Sequence, residues 1–147
     1  MKKLTLISYG LIFSLLGCVS YVTPESAALN KMQGIATLEI AYILEKNKFT
    51  SDFDELGVTF KPEERNHYSY KFIFIEEQRI VQFAAVAKQL FLKSYTGVTY
   101  LAIDKNKNSV EAKYIICESD KPTQKSPDKV ELIDEKVECP NGYSLIE

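Results

Sequence analysis

The chain has 147 residues, of which 46% are hydrophobic and 26% charged, with nine Tyr, eight Phe, no Trp and a formal net charge of −2. That length fits one domain that buries a core of its own without structural metal or many crosslinks. Two of its positive charges, Lys2 and Lys3, open the chain, so the rest stands at −4, and a mildly acidic domain argues against a nucleic-acid partner, which requires a basic face.

After Lys2 and Lys3 comes Leu4–Leu16, thirteen uncharged residues diluted only by Thr5, Ser8, Gly10 and Ser14. As a helix this run spans roughly 20 Å, short of the ~30 Å hydrocarbon core, so it reads as the apolar part of a signal peptide and not as a permanent span. It closes on Leu15-Leu16-Gly17-Cys18, which resembles the lipobox cut by lipoprotein signal peptidase. The resemblance implies a signal peptide over residues 1–17, acyl chains of the palmitate class on Cys18, a lipidated tether over residues 18–24 and a globular domain over residues 25–147. More than one chain on one cysteine, at about 0.8 kcal/mol per buried methylene, anchors stably. The plainer alternative is an ordinary secretory signal with an incidental cysteine.

Pro24-Glu25-Ser26 marks a helix start: proline is tolerated in a first turn, and an acid there favours the positive end of the helix dipole. Ala28, Leu29, Met32, Ile35, Ala36, Ile40 and Ile43 recur at three- and four-residue steps and share one face. Leu38, Ala41, Tyr42 and Leu44 are expected to widen that face into a surface needing cover. The helix ends at Asn47-Lys48, and Phe49 to Lys61 reads as a loop with a turn near Ser51–Leu56 closed by Gly57. Four strands follow, rich in aromatic and β-branched residues: Tyr68 to Ile75, Arg79 to Ala87, Tyr95 to Ile103 and Val110 to Cys117. Short polar breaks separate the first strand from the second and the third from the fourth. The predicted fold class is α+β, an N-terminal helix packed on a four-stranded antiparallel sheet.

Cys117 and Cys139 flank a polar, proline-containing excursion. In an exported chain a disulfide is the default expectation, and it would contribute on the order of 3 kcal/mol. Two metal-binding thiolates are the alternative, but no third or fourth ligand stands nearby in sequence.

Four stretches in order carry a resemblance to a known family. Ala41-Tyr42-Ile43-Leu44-Glu45-Lys46-Asn47-Lys48-Phe49 is similar to a helix end written AYYLENxKF. Phe53-Asp54-Glu55-Leu56-Gly57, then Lys61-Pro62-Glu63 and Tyr68-Ser69-Tyr70, is similar to a DLGLGIKxETxNYxY segment. Leu92-Lys93-Ser94-Tyr95-Thr96-Gly97 matches LKSYxG, and Ile116-Cys117-Glu118 with Cys139-Pro140-Asn141-Gly142-Tyr143 matches LCE…CPxGY. Together they resemble the type IV pilin-like G and H proteins of cyanobacteria, a likeness that covers roughly Asn30 to Tyr143.

The resemblance implies a pilin-like globular domain: a helix laid across an antiparallel sheet, with a disulfide closing the C-terminal loop. It implies structural roles for Tyr42, Phe49, Leu56, Gly57, Tyr70, Lys93, Ser94, Tyr95, Gly97, Pro140, Gly142 and Tyr143. It also implies an envelope location and partners among pilins or secretion-system proteins. The chain departs from pilins at its start. They carry a glycine followed by Phe-Thr-Leu-Ile-Glu and an apolar helix of more than twenty residues, whereas here Gly10 precedes Leu11-Ile12-Phe13-Ser14-Leu15 and Gly17 precedes Cys18. Acyl chains take the place of the filament-building helix, and assembly by the usual route is not expected.

No catalytic set emerges. His67, the one histidine, lacks a nucleophile marked by its context and reads as a surface or turn residue. Glu76 and Glu77 alternate across a strand end, which suits a solvated turn better than a carboxylate pair. Asp104-Lys105-Asn106-Lys107-Asn108 imitates the alternation of a calcium loop, but lysines fill the interleaved places and no bidentate Glu follows, so a hairpin turn is expected. No cofactor or metal site is predicted. The leading expectation is a non-catalytic lipoprotein whose loop between Cys117 and Cys139 is an exposed contact surface, its residues 120–136 removable without loss of the fold. The alternative is a lipoprotein that holds an apolar small molecule between helix and sheet, lined by Phe72, Phe74, Phe83, Phe91 and Tyr95.

Overall fold

A computed structural model describes residues 21–146. The expected signal peptide and Cys18 therefore lie outside the described residues. The first element, α1, covers Pro24–Lys46. Its start is fixed chemically: Thr23 is extended and its Oγ1 accepts the Ser26 N–H at 3.1 Å, while Pro24 occupies a first-turn position where no N–H is needed. At the other end Asn47 turns left-handed, φ 58°, and its N–H bonds to the Ile43 carbonyl at 2.9 Å, a residue type that tolerates this conformation.

The buried stripe of α1 is Ala28, Met32, Ile35, Ala36, Glu39 and Ile43. Of the residues expected to widen the face, only Tyr42 packs against the core, half-buried, while Leu38, Ala41 and Leu44 remain exposed. The stripe follows the helical period so strictly that it takes in the acid at position 39 and leaves the flanking leucines outside.

A short helix, α2 (Pro62–His67), precedes the sheet. It lies within a segment assigned no element from the sequence, although Pro62-Glu63-Glu64 is a helix-start pattern, and the Glu64 carboxylate accepts the Lys61 N–H at 2.6 Å. The strands are β1 (Tyr68–Glu76), β2 (Ile80–Ala87), β3 (Tyr95–Asp104) and β4 (Ser109–Ser119), close to their expected bounds. Two further pieces follow, β5 (Leu132–Ile133) with β6 (Lys136–Val137), and then β7 (Tyr143–Leu145). The main sheet is antiparallel with order β1-β2-β3-β4-β7, so the four expected strands gain a short fifth; β5 and β6 pair apart from it.

The sheet is covered on both faces. On one, α1 packs Ala28, Met32, Ile35 and Ala36 against Tyr68, Phe83, Ala85, Ala87, Tyr95 and Ile116. Ile43 meets Phe49 and Val81 nearer the end of the helix. On the other, Ile80, Val98, Tyr100 and Ala102 are buried beneath Val130 and Val137 from the excursion between the cysteines. Every residue of β2 is therefore buried. A register shift between Phe72 and Phe74 lets β1 serve both layers: Phe72 packs with the α1 core and Phe74 with the other.

Cys117 and Cys139 form a disulfide with their Cα atoms 5.8 Å apart. The segment they enclose is not a free loop. It carries the second layer of the domain through Val130, Leu132 and Val137; most of its other residues are exposed as expected, but the expectation that it can be removed without loss of the fold does not fit this packing.

Candidate functional site

Lys93, Ser94 and Tyr95 sit where five parts of the chain meet. The Lys93 N–H donates to Glu25 Oε1 in the first turn of α1 at 3.1 Å, and the Lys93 carbonyl accepts the Tyr68 hydroxyl of β1 at 3.0 Å. Ser94 is fully buried: its Oγ accepts the Ala87 N–H at 2.9 Å and donates to the Thr123 carbonyl at 2.7 Å, while its N–H donates to Ser119 Oγ at 2.9 Å. Glu118 on β4 takes Lys93 Nζ at 2.8 Å on one oxygen and the Tyr95 hydroxyl at 3.0 Å on the other. The hydrogen bond to Glu118 holds the Lys93 ammonium above its ordinary pKa. Burial first, and then Glu118, push the Tyr95 hydroxyl well above the usual tyrosine range. Neither group is poised to exchange a proton near neutrality. The junction is a tie between layers, satisfied on every side.

The other family-motif residues also serve packing. Tyr42 donates to Glu55 Oε2 at 3.0 Å and ties α1 to the following turn. Phe49 and Leu56 are buried, and Gly57 takes φ +68°, a conformation that side chains disfavour. Tyr70 stacks on Phe60 with ring centroids 4.5 Å apart. Pro140 is buried, and Gly142 (φ +80°) turns the chain so that its carbonyl accepts the Asp120 N–H at 2.8 Å and Tyr143 opens β7.

Gly97 shows how close the packing is. A Cβ there would lie 2.4 and 2.5 Å from Cε2 and Cζ of Phe83 and 3.1 Å from Ile116 Cδ1. Phe83 is itself fully buried, with the Phe72 ring beside it, so the ring has little room to retreat. Gly97→Ala is expected to lower stability by about 1–3 kcal/mol through overpacking. Adding Phe83→Leu should recover part of the loss; urea denaturation of the single and double variants checks both, and an unchanged midpoint for Gly97→Ala would contradict this packing.

Two polar residues that the sequence reading did not single out are deeply buried. Gln82 donates through Nε2 to the Asp128 carbonyl at 2.9 Å and accepts the Val130 N–H on Oε1 at 3.0 Å, which fastens the second layer to β2. Glu39 accepts the Thr50 N–H at 3.3 Å on one oxygen, and its other oxygen has no partner. Both carried a signal: Gln82 interrupts an otherwise apolar strand, and Glu39 falls on the helical stripe.

His67 lies near Gln89, Nδ1 to Oε1 3.2 Å, at the end of α2. Glu76 closes β1 and Glu77 begins the turn after it. Asp104 Oδ1 accepts the N–H groups of Asn106 and Lys107 within a hairpin turn. Among the described residues no group of three or more His, Cys, Asp or Glu stands together to hold a metal, and no helix is long and apolar enough to cross a membrane. The five aromatic residues expected around an apolar ligand do not share one space. Phe83 and Tyr95 are core, Phe72 and Phe74 pack with opposite layers, and Phe91 is exposed. A depression of about 550 Å³ along the second layer is lined by Lys129, Glu131, Asp134 and Lys136 among others, which suits water better than an apolar molecule.

Neither the curated proteins nor the solved structures compared with the chain gave a match. One family model does match, that described as "Type IV pilin-like G and H", over residues 25–140. Those bounds run from the first turn of α1 to the proline after the second disulfide cysteine, and hence take in both layers and the Lys93–Tyr95 junction. The chain belongs to the type IV pilin-like G and H family.

Proposed function

We propose that this protein is a non-catalytic lipoprotein of a cyanobacterial-type cell envelope, cut before Cys18 and held to a membrane by lipid there. Its pilin-like domain, residues 25–147, then serves as a protein-interaction module of type IV pilus or secretion machinery. Family membership supports the pilus- or secretion-related role. The Leu15-Leu16-Gly17-Cys18 sequence supports the anchor.

The observation that carries the reading is the cap at Thr23. In a pilin the N-terminal helix runs on into the membrane and later into the filament. Here Thr23 is extended and caps the first turn of α1, so that helix does not run back unbroken toward Cys18. A lipidated cysteine five residues upstream is an attachment that does not require the helix to continue, which supports the reading.

Intact-mass analysis of the mature N-terminus, beside membrane fractionation of Cys18→Ser, tests this directly. The wild-type chain is expected to begin at an acylated Cys18 and to sediment with membranes, whereas Cys18→Ser should lose both the modification and mature processing. An unmodified, soluble product beginning at another residue would refute the anchor.

A further inference from the structure

Leu90 and Phe91 are 81% and 73% exposed, although they stand next to Leu92, which is 5% exposed. They occupy the connection from β2 to β3, at the pole of the domain where α1 begins. Three contacts fix that placement. The Lys93 N–H reaches Glu25 in the first turn of α1, Gln89 lies 3.2 Å from His67, and the Thr123 N–H donates to the Leu92 carbonyl at 3.1 Å. Tyr21 and Val22, 83% and 63% exposed, enter at the same pole and share a shallow depression with His67 and Tyr68.

Positive charge lies beside Leu90 and Phe91. Lys88 directly precedes the connection, and Lys121 and Lys125 flank Thr123; among the described residues none of the three forms an ion pair. Five acids also stand at this pole: Glu118 pairs with Lys93, Glu64 pairs with Lys31, Glu25 accepts the Lys93 N–H, Asp120 accepts the Ser144 hydroxyl at 2.6 Å, and exposed Glu63 lines the depression beside Tyr21 and Val22, on the side away from Phe91. The opposite pole holds the polar turns Glu77 to Arg79, Lys105 to Asn108, and Asp134 with Glu135, and its exposed apolar residues Ile103, Val110 and Ile133 include no aromatic ring.

We propose that this pole is a lipid-contact tip: Leu90 and Phe91, with Tyr21 and Val22 beside them, enter the interfacial layer of an anionic bilayer while Lys88, Lys121 and Lys125 meet its headgroups. Exposed Phe and Leu beside lysines, with Tyr close to them, match the chemistry of that layer, where aromatic rings partition and lysines attract anionic lipid. The chain upstream points to the same occupant. Tyr21 stands three residues after Cys18, so at most about 11 Å of extended chain separates them. The inference rests on the lipid-anchor reading for that proximity, but its own observable is where Phe91 lies.

The test uses the full mature protein reconstituted into vesicles of equal parts phosphatidylglycerol and phosphatidylcholine. The chain has no Trp, so Phe91→Trp on the tip and Ile133→Trp in the second layer, toward the opposite pole, each report one place. With a nitroxide lipid labelled near the headgroup, Trp at position 91 is expected to shift to shorter wavelength and lose roughly twofold in intensity, as a ring at interfacial depth does. Trp at position 133 should keep its solvent-like emission. The intact mass of the same sample separates the two readings. Lipid on Cys18 with an unquenched tip overturns the tip and leaves the anchor standing. A quenched tip on a chain without lipid supports the tip and refutes the anchor. A tip that responds to an added envelope protein and not to lipid overturns the proposal in favour of a protein contact.

Discussion

Removing residues 120–136 and joining the ends is expected to abolish cooperative unfolding of the domain. The deletion takes away Val130 and the β5 strand and bares Ile80, Val98, Tyr100 and Ala102, all at most 7% exposed in the intact fold. Each such side chain contributes about 1.5–3 kcal/mol when buried, so the loss is on the order of 10 kcal/mol. That is comparable to the whole stability of a typical domain. Gln82 loses its bonds to the Asp128 carbonyl and the Val130 N–H as well, but its amide then meets water and adds little to the loss. Near-ultraviolet circular dichroism and urea titration read the result. Ile133→Ser is the contrasting control: Ile133 is exposed, and its replacement should change stability by no more than about 0.5 kcal/mol. A deletion variant that unfolds cooperatively, with an unchanged near-ultraviolet spectrum, would mean that the second layer contributes little.

The second large effect is a fall in stability with rising pH, centred on Glu39. Burial pushes its carboxyl up to about 7 from an ordinary value of 4.5; the Thr50 N–H pulls it partly back, and the negative charge of Glu55 adds to the rise. A carboxyl whose pKa is raised by folding binds a proton in the native state while the unfolded chain has already lost it. Its contribution is therefore fully retained below pH 4.5, is lost as pH climbs to about 7 and is level above that. A rise of this size corresponds to about 3 kcal/mol. Glu39→Gln should flatten the profile across that window and exceed wild type at pH 8. Glu55 works in the opposite sense: hydrogen bonds from Thr50 and Tyr42 hold its carboxyl below the ordinary range, so what it contributes fades only in more acidic solution. Urea titrations across this range compare the slopes, and parallel profiles for wild type and Glu39→Gln would show that Glu39 is solvated in the native state.

The helix and the four long strands were legible because each repeats its apolar residues at the spacing of its own backbone over eight residues or more. Tyr68–Glu76 and Tyr95–Asp104 needed nothing beyond alternation and aromatic content. The second layer was not legible in the same way. Val130 and Val137 are lone apolar residues among charges, Leu132 has only Ile133 beside it, and short elements such as β5 and β6 have too few residues to show a period. The clue lay elsewhere, in Ile80–Ala87, where a nearly unbroken apolar strand requires cover on both faces. Taking Cys117 to Cys139 as a free loop ignored that requirement. The motif residues were assigned to structure by resemblance, and the contacts of Ser94 and Gly97 give the physical reason. Phe91 misled because an aromatic residue counts the same in a composition whether it turns inward or outward.

The register shift in β1 has a consequence for how copies of this chain behave beside one another. Among the described residues β1 is an outermost strand of the sheet, with nine residues and one flank that no other strand pairs with. A flat strand of that length would be a ready template for another chain to add to, the first step toward amyloid. The extra residue between Phe72 and Phe74 breaks the regular ladder and coils the strand away from flatness, and exposed Lys71 places a charge beside the break. The device that divides the aromatic residues of β1 between two layers thus also guards the open side of the sheet against the outer strand of a second copy.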